Sequence, residues 1–332
     1  MNLKELFTRA LKCEEGLPFP PLWEIEFHLW DAYSGRKLLV GEEFVKLTKK
    51  EKEAALQTNL EIIAEVSRSL NFAGINTPGK YWEIAPGKPA YLWMPEEYRK
   101  RQIQLLQDEM GGEILVLVST GGILAMPEAA AFVDFSVKMF TNPEEVDEQA
   151  RQLYKSAIAE VREYADIGIE AFISPSDLGD TRSPYFDPDQ MDRFILPYMK
   201  EWAAYIRELG GYSIVHSDGN INMYMDAITA TGINGLQAID SLAGMDIVSL
   251  QKTYSDRLCL IGNMDIGLLN TGSPEEVYAA ADELLSKCGP GRGFVFGGSN
   301  AIQVEIPLEN YQAMIDAYRS FAGRDTAGPL KN

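Results

Sequence analysis

The chain has 332 residues and carries 30 Lys and Arg against 49 Asp and Glu, a formal net charge of −19. Phosphate binding needs a basic face, so this charge argues against a nucleic-acid binder and against attachment to an anionic membrane surface. No window approaches the roughly 18 apolar residues of a membrane span, and the first residues lack the apolar core of a signal peptide. The 3 scattered cysteines fit neither a disulfide framework nor a paired metal motif. A cytoplasmic, reduced protein is expected.

Short β-rich segments alternate along the chain with amphipathic helical segments. The predicted strands are Leu22–Phe27, Phe72–Thr77, Ile114–Ser119, Ala171–Ser174, Tyr212–His216, Ile233–Ile239, Leu258–Ile261 and Phe294–Phe296. The predicted helices include Lys50–Leu70, Asn142–Ile167, Pro188–Leu209 and Ser273–Lys287. The last of these begins with Ser273-Pro274-Glu275-Glu276, a capping residue, a proline and two carboxylates that favour a helix N-terminus.

This alternation is typical of βα units around a parallel sheet. Eight strands in a chain of this length predict an α/β fold with a single (β/α)8 TIM barrel, one domain over residues 1–332. A doubly wound open sheet is the alternative, but it usually carries a Gly-rich phosphate loop after the first strand, and His28–Tyr33 contains no glycine. The aromatic-rich stretch Gly79–Gly112 is predicted to be an insertion after strand two, near the barrel mouth.

In such barrels the functional residues follow the carboxyl ends of the strands. The 2 histidines of the chain, His28 and His216, both follow predicted strands. His216 and Asp218 point to the same side of an extended chain, so both could reach one metal ion or one substrate. Imidazole with carboxylates suits Zn²⁺ or another borderline cation. Asp177, after strand four, has equal claims as a functional group and as a turn cap, whereas Asp180 is interpreted as a cap.

Five segments carry a family resemblance and lie in family order through nearly the whole chain. They are Pro21–Trp23, Ser176–Trp202, His216–Asp240, Leu258–Leu269 and Gly297–Ala317. With these segments the chain resembles the uroporphyrinogen decarboxylase superfamily, which includes the decarboxylases of haem synthesis and the methyltransferases that serve corrinoid proteins. The resemblance implies the same single (β/α)8 barrel.

The decarboxylases of this superfamily carry an Arg-Gln-Ala-Gly-Arg run after the first strand, whose arginines bind the carboxylates of the substrate. The aligned residues here are Glu26-Phe27-His28-Leu29-Trp30, which contain no arginine. The essential aspartate after the second strand is matched by Asn76. A polyanionic porphyrinogen would lose both bidentate contacts, so the decarboxylation of haem synthesis is not expected.

The chain resembles the methyltransferase branch more closely, in its Asp-Leu-Gly and His-x-x-Gly-Asn segments. In that branch a zinc ion that activates a thiol is usually held by His-x-Cys after strand five and a Cys after strand eight. The matching positions here are His216, Asp218 and Asn300, so both thiolates are missing. The resemblance therefore favours a harder N/O site, with Glu26 as a further ligand, which suits a methyl ether or methylamine more than a thiol.

The strand ends and the resemblance together give the candidate site residues. The catalytic candidates are Asp177, His216 and Asn300, and the candidate metal ligands are His216, Asp218 and Glu26. The candidate substrate-binding residues are Trp23, Glu26, His28, Asn76, Tyr81, Gln237 and Asp265, the last with helix capping as its alternative role.

Three functions follow from the resemblance, ranked in this order. The first is a methyltransferase that moves a methyl group from a small methylated substrate to a corrinoid protein, which supplies the corrinoid, with either a metal ion such as zinc or a protonated side chain near His216. The second is a decarboxylase-like lyase that acts on a smaller, less anionic substrate. The third is a non-catalytic binder of a corrinoid or tetrapyrrole. The methyl donor, the metal and the oligomeric state, a homodimer included, are left open.

Overall fold

The computed structural model describes residues 1–85, 87–127 and 129–323. Seven parallel strands form one curled sheet in which neighbours follow the chain order, as in a TIM barrel. They are Gly74–Ile75, Leu115–Ser119, Ala171–Pro175, Tyr212–Ser217, Gly235–Ala238, Cys259–Ile261 and Phe294–Val295. These correspond to predicted strands two to eight, keep those numbers below, and have both ends within two residues of the predicted positions.

The predicted first strand, Leu22–Phe27, is not formed as a continuous strand. Instead, Leu22 makes isolated parallel bridges to Phe72, beside strand two, and to Phe296, beside strand eight. Pro21 and the proline before it have no N–H group to extend a ladder of hydrogen bonds in that direction. The two ends of the sheet are therefore joined at the first barrel position through Leu22.

Helices surround the sheet and connect its strands. The α-helices of the described residues are Leu3–Leu11, Trp30–Ser34, Gly41–Lys46, Lys49–Leu70, Glu96–Met110, Ala129–Thr141, Pro143–Ala165, Pro188–Gln190, Leu196–Glu208, Met225–Ala230, Ile247–Tyr254, Ile266–Thr271, Pro274–Cys288 and Leu308–Phe321. Short 3₁₀ turns lie at Asn222–Tyr224 and Ser241–Ala243. The predicted cap at Ser273 is confirmed, since its side chain and that of Glu276 form a capping box. Throughout the described part of the chain, every helix is too short or too polar to cross a bilayer.

The predicted helix Pro188–Leu209 is interrupted in the structure. Residues Met191–Ile195 form a π-helical turn between the helical segments Pro188–Gln190 and Leu196–Glu208. Pro197 follows this turn. Because proline has no N–H for the regular bond to the fourth preceding carbonyl, we attribute the widened turn to Pro197.

The aromatic insertion is shorter than predicted. Its first part holds a two-stranded antiparallel hairpin, Glu83–Ala85 with Lys88–Pro89. Its second part is the helix Glu96–Met110, which buries Leu106 and the Met110 side chain in the core around the sheet. The spacing of its buried residues is that of an ordinary amphipathic helix, so this half belongs to the outer layer of the barrel.

Apolar side chains fill both the interior of the barrel and the layer between the sheet and the outer helices, so a polar site can lie only at an open end of the barrel. Leu115 and Leu117 point into the barrel, whereas the alternating Val116 and Val118 pack against the outer helices. The N-terminal helix Leu3–Leu11 places Phe7, which is fully buried, among the inward-facing side chains. Its Lys4 N–H donates to the carbonyl of Glu113, just before strand three, at 2.8 Å. This helix therefore fills the amino-terminal end, and the carboxyl ends of the strands form the open mouth.

Candidate active site

One histidine and two carboxylates meet at the barrel mouth. His216 lies on strand five in line with the inward-facing Ile214, so its ring points into the barrel. Its Nε2 atom lies 3.5 Å from Oδ1 of Asp177, after strand four, and 3.8 Å from Oδ1 of Asp218. One ligand atom from each of the three residues lies within 4.8 Å of the others. The structure thus brings together three of the predicted site residues.

The tautomer of His216 is fixed by Gln237 on strand six. The Gln237 Nε2 group donates to the carbonyls of Gly298 and Ser299, at 3.2 and 3.4 Å. Its Oε1 atom faces Nδ1 of His216 in a short hydrogen bond and can only accept. We therefore assign the proton to Nδ1, which leaves the lone pair of Nε2 directed at the two carboxylates. Gln237, predicted to bind substrate, thus positions the histidine.

Asp218 is held in place from both sides. Its Oδ2 atom accepts a hydrogen bond from Nδ2 of Asn300 at 2.5 Å, and its backbone N–H donates to Asp177 Oδ1 at 3.1 Å. Burial raises the pKa of Asp218, a protonated His216 would lower it, the charges of Asp177 and Asp240 raise it, and the Asn300 hydrogen bond lowers it. Two carboxylates this close favour a bound proton or cation between them.

Two glycines allow the loops after strands four and five to touch. A Cβ atom on Gly219, whose φ is +86°, would lie 2.3 Å from the carbonyl carbon and oxygen of Gly179. Beside this contact the Asn220 N–H donates to the carbonyl of Asp180 at 2.7 Å. The Asp180 side chain accepts from the N–H groups of Arg182 and Ser183, at 2.7 and 2.9 Å, which confirms its predicted role as a turn cap.

The sequence model of the uroporphyrinogen decarboxylase (URO-D) family matches residues 95–321 of the chain. The chain belongs to the uroporphyrinogen decarboxylase family. It is 23% identical over 238 residues to the uroporphyrinogen decarboxylase of Pseudoalteromonas atlantica, a match that covers 69% of this chain and 65% of the relative. It is 28% identical over 162 residues to that of Coxiella burnetii, which covers 48% of this chain and 44% of the relative. The matches thus span less than two thirds of these relatives.

A solved structure with the same fold is a methyltransferase from Methanosarcina mazei. It superimposes with a TM-score of 0.68 over 97% of this chain and 99% of its own, at 14% sequence identity. This likeness confirms the predicted TIM-barrel-like fold. The shared fold agrees with the family membership, which places the chain in the uroporphyrinogen decarboxylase superfamily.

The donor set of this family member fits a divalent cation that prefers nitrogen and oxygen ligands. One imidazole nitrogen and carboxylate oxygens from Asp177 and Asp218 converge, and a histidine whose other nitrogen donates to a fixed acceptor is the usual arrangement at metal sites. The three cysteines are all buried elsewhere: Cys13 and Cys259 line the apolar barrel interior, and Cys288 lies on the helix Pro274–Cys288. The cysteines therefore lie outside the cluster of Asp177, His216 and Asp218, whose donor atoms are nitrogen and oxygen.

Glu26, predicted as a further metal ligand, is not part of the group of three. Its Oε2 atom pairs with Nε2 of His28 at 3.2 Å, and the His28 ring lies against the Tyr91 ring at 5.3 Å. Asn76 donates its Nδ2 group to the carbonyl of Ile25 in a short hydrogen bond. Glu26 and Asn76 both line a small cavity beside strand two, apart from the Asp177–His216–Asp218 cluster.

Three further candidate residues make contacts within the protein. Trp23 is 1% exposed and packs against Phe7 inside the barrel. Tyr81 is 52% exposed, and its hydroxyl donates to Glu83 at 2.5 Å. Asp265 accepts from the N–H of Leu268 at 3.1 Å and caps the helix Ile266–Thr271, its alternative predicted role.

The sequence assigned no role to Glu24 or to Asp240. Glu24 is buried between the Tyr311 hydroxyl, which donates at 3.0 Å, and the Gly298 N–H, which donates at 2.8 Å. Asp240 shares an open cleft with Asp218 and Asn300. The local signal for both is their place at the ends of predicted strands one and six.

Proposed function

We propose that this protein transfers a methyl group from a small methylated substrate to a corrinoid bound by a partner protein. The observation that carries the proposal is the cluster of Asp177, His216 and Asp218 at the barrel mouth, with the Nε2 lone pair of His216 directed at both carboxylates. The shared fold with a protein described as a methyltransferase supports it.

The charge of the mouth favours a neutral or cationic methyl donor. Asp177, Asp218, Asp240 and Asp265 follow strands four to seven, and in the described part of the chain none of them forms an ion pair with a lysine or arginine. A substrate with several carboxylates would meet repulsion there and would find no bidentate guanidinium partner. Methyl ethers and methylamines carry no such charge, so we assign the donor to these classes.

Methyl transfer to a reduced corrinoid breaks the bond from the methyl group to oxygen or nitrogen, and the bonding pair stays with the leaving group. The corrinoid supplies the nucleophile, so the protein must orient the donor and stabilise that leaving group. A divalent cation bound by His216, Asp177 and Asp218 would supply Lewis-acid stabilisation. Protonated at Nε2, His216 would lie beside both carboxylates and could donate a proton to the departing oxygen or nitrogen. Asn300 orients Asp218 in either case.

The test is an anoxic assay of the whole protein with reduced cobalamin or a corrinoid protein, and a panel of aryl methyl ethers and methylamines. Methylation of cobalt is followed by the change in its visible spectrum. We expect turnover with at least one donor class and a loss of about 100-fold or more in His216→Gln and Asp218→Asn, the magnitude typical of a lost catalytic acid or base. Asp282→Asn, an exposed carboxylate on an outer helix, is the matched control and should retain full activity.

Two results would contradict the proposal. Release of carbon dioxide from uroporphyrinogen without any corrinoid would favour the reaction named for the curated relatives. Tight binding of a corrinoid with no cobalt methylation across the panel would favour a non-catalytic binder. Metal content of the purified protein, measured with His216→Ala for comparison, addresses the cation separately; equal metal content in both proteins would exclude His216 as a ligand.

A further inference from the structure

The closure of the barrel between its first position and strand eight contains a bulge. Leu22 is bridged to Phe296, and Phe27 is bridged to Ile302, both in the parallel direction. Four residues lie between the bridged positions on the first segment, and five, residues 297–301, lie between them on the second. Because one residue is in excess, the second segment leaves the ladder of backbone hydrogen bonds and then returns to it. We call residues 297–301 the closure bulge.

A buried side chain bonds to the backbone of the closure bulge. The N–H of Gly298 donates to Oε2 of Glu24 at 2.8 Å. The other carboxyl oxygen, Oε1, accepts from the hydroxyl of Tyr311 at 3.0 Å. Glu24 is 4% exposed and Tyr311 is fully buried, so a lost bond at Gly298 leaves a buried polar group unpaired. With a donor at each oxygen, the Glu24 carboxyl group has a fixed orientation and holds Gly298 in place.

The closure bulge depends on such contacts because it contains two consecutive glycines. Gly297 and Gly298 have no side chains, so rotation of their backbone is little restricted. From strand seven, the N–H of Met264 donates to the carbonyl of Gly297 at 3.0 Å, and the carbonyl of Met264 accepts from the N–H of Ser299 at 2.8 Å. Glu24 contacts the bulge from the other side, at the first barrel position. The two sides together determine where the bulge lies.

The closure bulge in turn contacts the partners of His216 and Asp218. Gln237 donates to two carbonyls of the bulge, at 3.2 and 3.4 Å, and its oxygen faces Nδ1 of His216. Asn300, two residues after Gly298, donates to Oδ2 of Asp218 at 2.5 Å. Two routes of contact therefore lead from Gly298 to the candidate site, one to the imidazole ring and one to a carboxylate.

We infer that Glu24 is a positioning residue of the candidate site. By holding Gly298 it fixes the closure bulge, and through the bulge it orients His216 and Asp218. The consequence for methyl transfer rests on the proposed function, whereas the positioning itself does not. Removal of a partner that orients a metal ligand usually lowers metal affinity by about 10- to 100-fold. Glu24 acts through a further contact, so we expect a loss at the lower end of this range.

Substitution of Glu24 in the full chain tests this role. Glu24→Leu keeps an apolar side chain in the buried position but accepts no hydrogen bond, and it should lower the affinity for Zn²⁺ about tenfold, as measured by competition with a chelator. Glu24→Gln, whose amide oxygen can accept from Gly298, should retain the wild-type affinity.

Asn59→Leu is the matched control for the loss of a buried acceptor. Asn59 is 1% exposed, lies on the outer helix Lys49–Leu70, and accepts from the N–H of Leu39 at 2.8 Å. Its substitution should lower the free energy of unfolding, because the N–H of Leu39 loses its partner, and should leave the affinity for Zn²⁺ unchanged. The control thus separates the loss of positioning from a general loss of stability.

A second measurement reports on the ring and needs no bound cation. The chain has 2 histidines, so labelling histidine with ¹⁵N gives few ring signals, and His28→Gln assigns them. In the metal-free wild-type protein, the neutral ring of His216 should show one tautomer, with the proton on Nδ1. Glu24→Leu should give a mixture of both tautomers, and Glu24→Gln should keep the single one.

The route of the effect is tested in a chain that already carries Gln237→Ala and Asn300→Ala. Because both contacts to the bulge are then absent, Glu24→Leu should cause no further loss of Zn²⁺ affinity. If Glu24→Leu does not fold, Glu24→Asp takes its place, since a side chain one methylene shorter does not reach Gly298 and the Tyr311 hydroxyl together.

Four results would overturn the inference. They are an unchanged affinity and tautomer in the folded Glu24→Leu protein, an equal loss of affinity in Glu24→Gln, an equal loss in Asn59→Leu, and a further loss in the chain without Gln237 and Asn300. None of these measurements involves methyl transfer. A failure here therefore leaves the proposed reaction untouched, and a negative methyl-transfer assay leaves the positioning role of Glu24 untouched.

Discussion

His216 depends for its chemistry on a residue of the neighbouring strand. The carboxamide of Gln237 faces two backbone carbonyls with its nitrogen and the imidazole Nδ1 with its oxygen. The side chain can satisfy all of these contacts in one orientation only, so the ring orientation is fixed and Nδ1 is the nitrogen that donates to Gln237. This is the arrangement by which an outer residue orients and strengthens a histidine ligand.

We expect Gln237→Ala to lower the affinity for a divalent cation about 10- to 100-fold, the effect usual for loss of such a partner. The His216 ring would lose its fixed tautomer while the three ligand residues remained. Competition with a chelator, using Zn²⁺ and Mn²⁺ as probes, measures the change. Gln152→Ala, on an exposed helix surface, serves as control; equal affinities in the Gln237 and Gln152 variants would exclude this positioning role.

Glu24 makes stability depend on pH. Burial raises its pKa to about 8 from a usual value of 4.5, while hydrogen bonds from Gly298 and Tyr311 lower it. Between these two values the unfolded chain releases the proton and the folded chain retains it. The free energy of unfolding therefore falls as the pH rises, by about 1.4 kcal/mol per unit at most for one group. The stabilisation is complete below pH 4.5 and lost by about pH 8.

Glu24→Gln should remove this dependence. The amide oxygen can accept from Gly298 and the amide nitrogen can donate to the Tyr311 oxygen, so the buried contacts are kept. Relative to wild type, the variant should gain a few kcal/mol between pH 5 and pH 8, as measured by urea denaturation at both values. Glu275→Gln, exposed in the first turn of its helix, should show no such gain. A difference from wild type that is the same at both pH values would contradict the buried, protonated state.

At the scale of elements, the site is built by the contact between the loops after strands four and five. Gly219→Ala would place a Cβ 2.3 Å from the backbone of Gly179, so the loops that carry Asp177 and Asp218 must separate. We expect a loss of stability about 1–3 kcal/mol larger than in the control, together with weaker cation binding. Thermal denaturation and the chelator competition report the two effects.

Gly210→Ala is the matched control for this prediction. Gly210 has a similar φ of +79°, but a Cβ there would meet no atom within 4 Å. Both variants carry the strain of a positive φ, and only Gly219→Ala adds the loop clash. Similar stability and similar cation affinity in the two variants would show that the close approach of the loops is not needed.

At the scale of the whole molecule, the N-terminal helix fills the amino-terminal end of the barrel, and the mouth at the carboxyl ends of the strands stays open. Phe7, from the N-terminal helix, is fully buried among inward-facing side chains and packs on Trp23. Phe7→Ala should lower the free energy of unfolding by about 3–5 kcal/mol, as for other buried aromatic residues, and should leave cation affinity unchanged in the folded protein. Chemical denaturation measures the first effect, with Leu153→Ala, 40% exposed, as control. A loss below 1 kcal/mol would show that the helix does not support the barrel.

The sequence by itself determined the class of fold and the end of the barrel where the site lies. Alternation along strands and amphipathic spacing along helices are local properties, so strands two to eight were found almost at their true ends. The same local rule placed His216 and Asp218 on one side of strand five. Among the strands, only the prediction of the first was wrong. The prolines before Leu22 limit its hydrogen bonds, so an apolar composition was not enough to form a continuous strand, and Leu22 makes only isolated bridges to the two edges of the sheet.

Only the tertiary structure decided which polar residues meet. The hydrogen bond from Asp218 to Asp177 joins residues 41 positions apart, and it depends on two glycines in contact and on the curvature of the sheet. The same folding paired Glu26 with His28, buried Trp23, and made Gln237 a support for His216. Such contacts depend on distances across the closed barrel. No spacing along the chain encodes those distances. The sequence therefore predicted that polar residues lie at the mouth, and only the fold determined which of them come into contact.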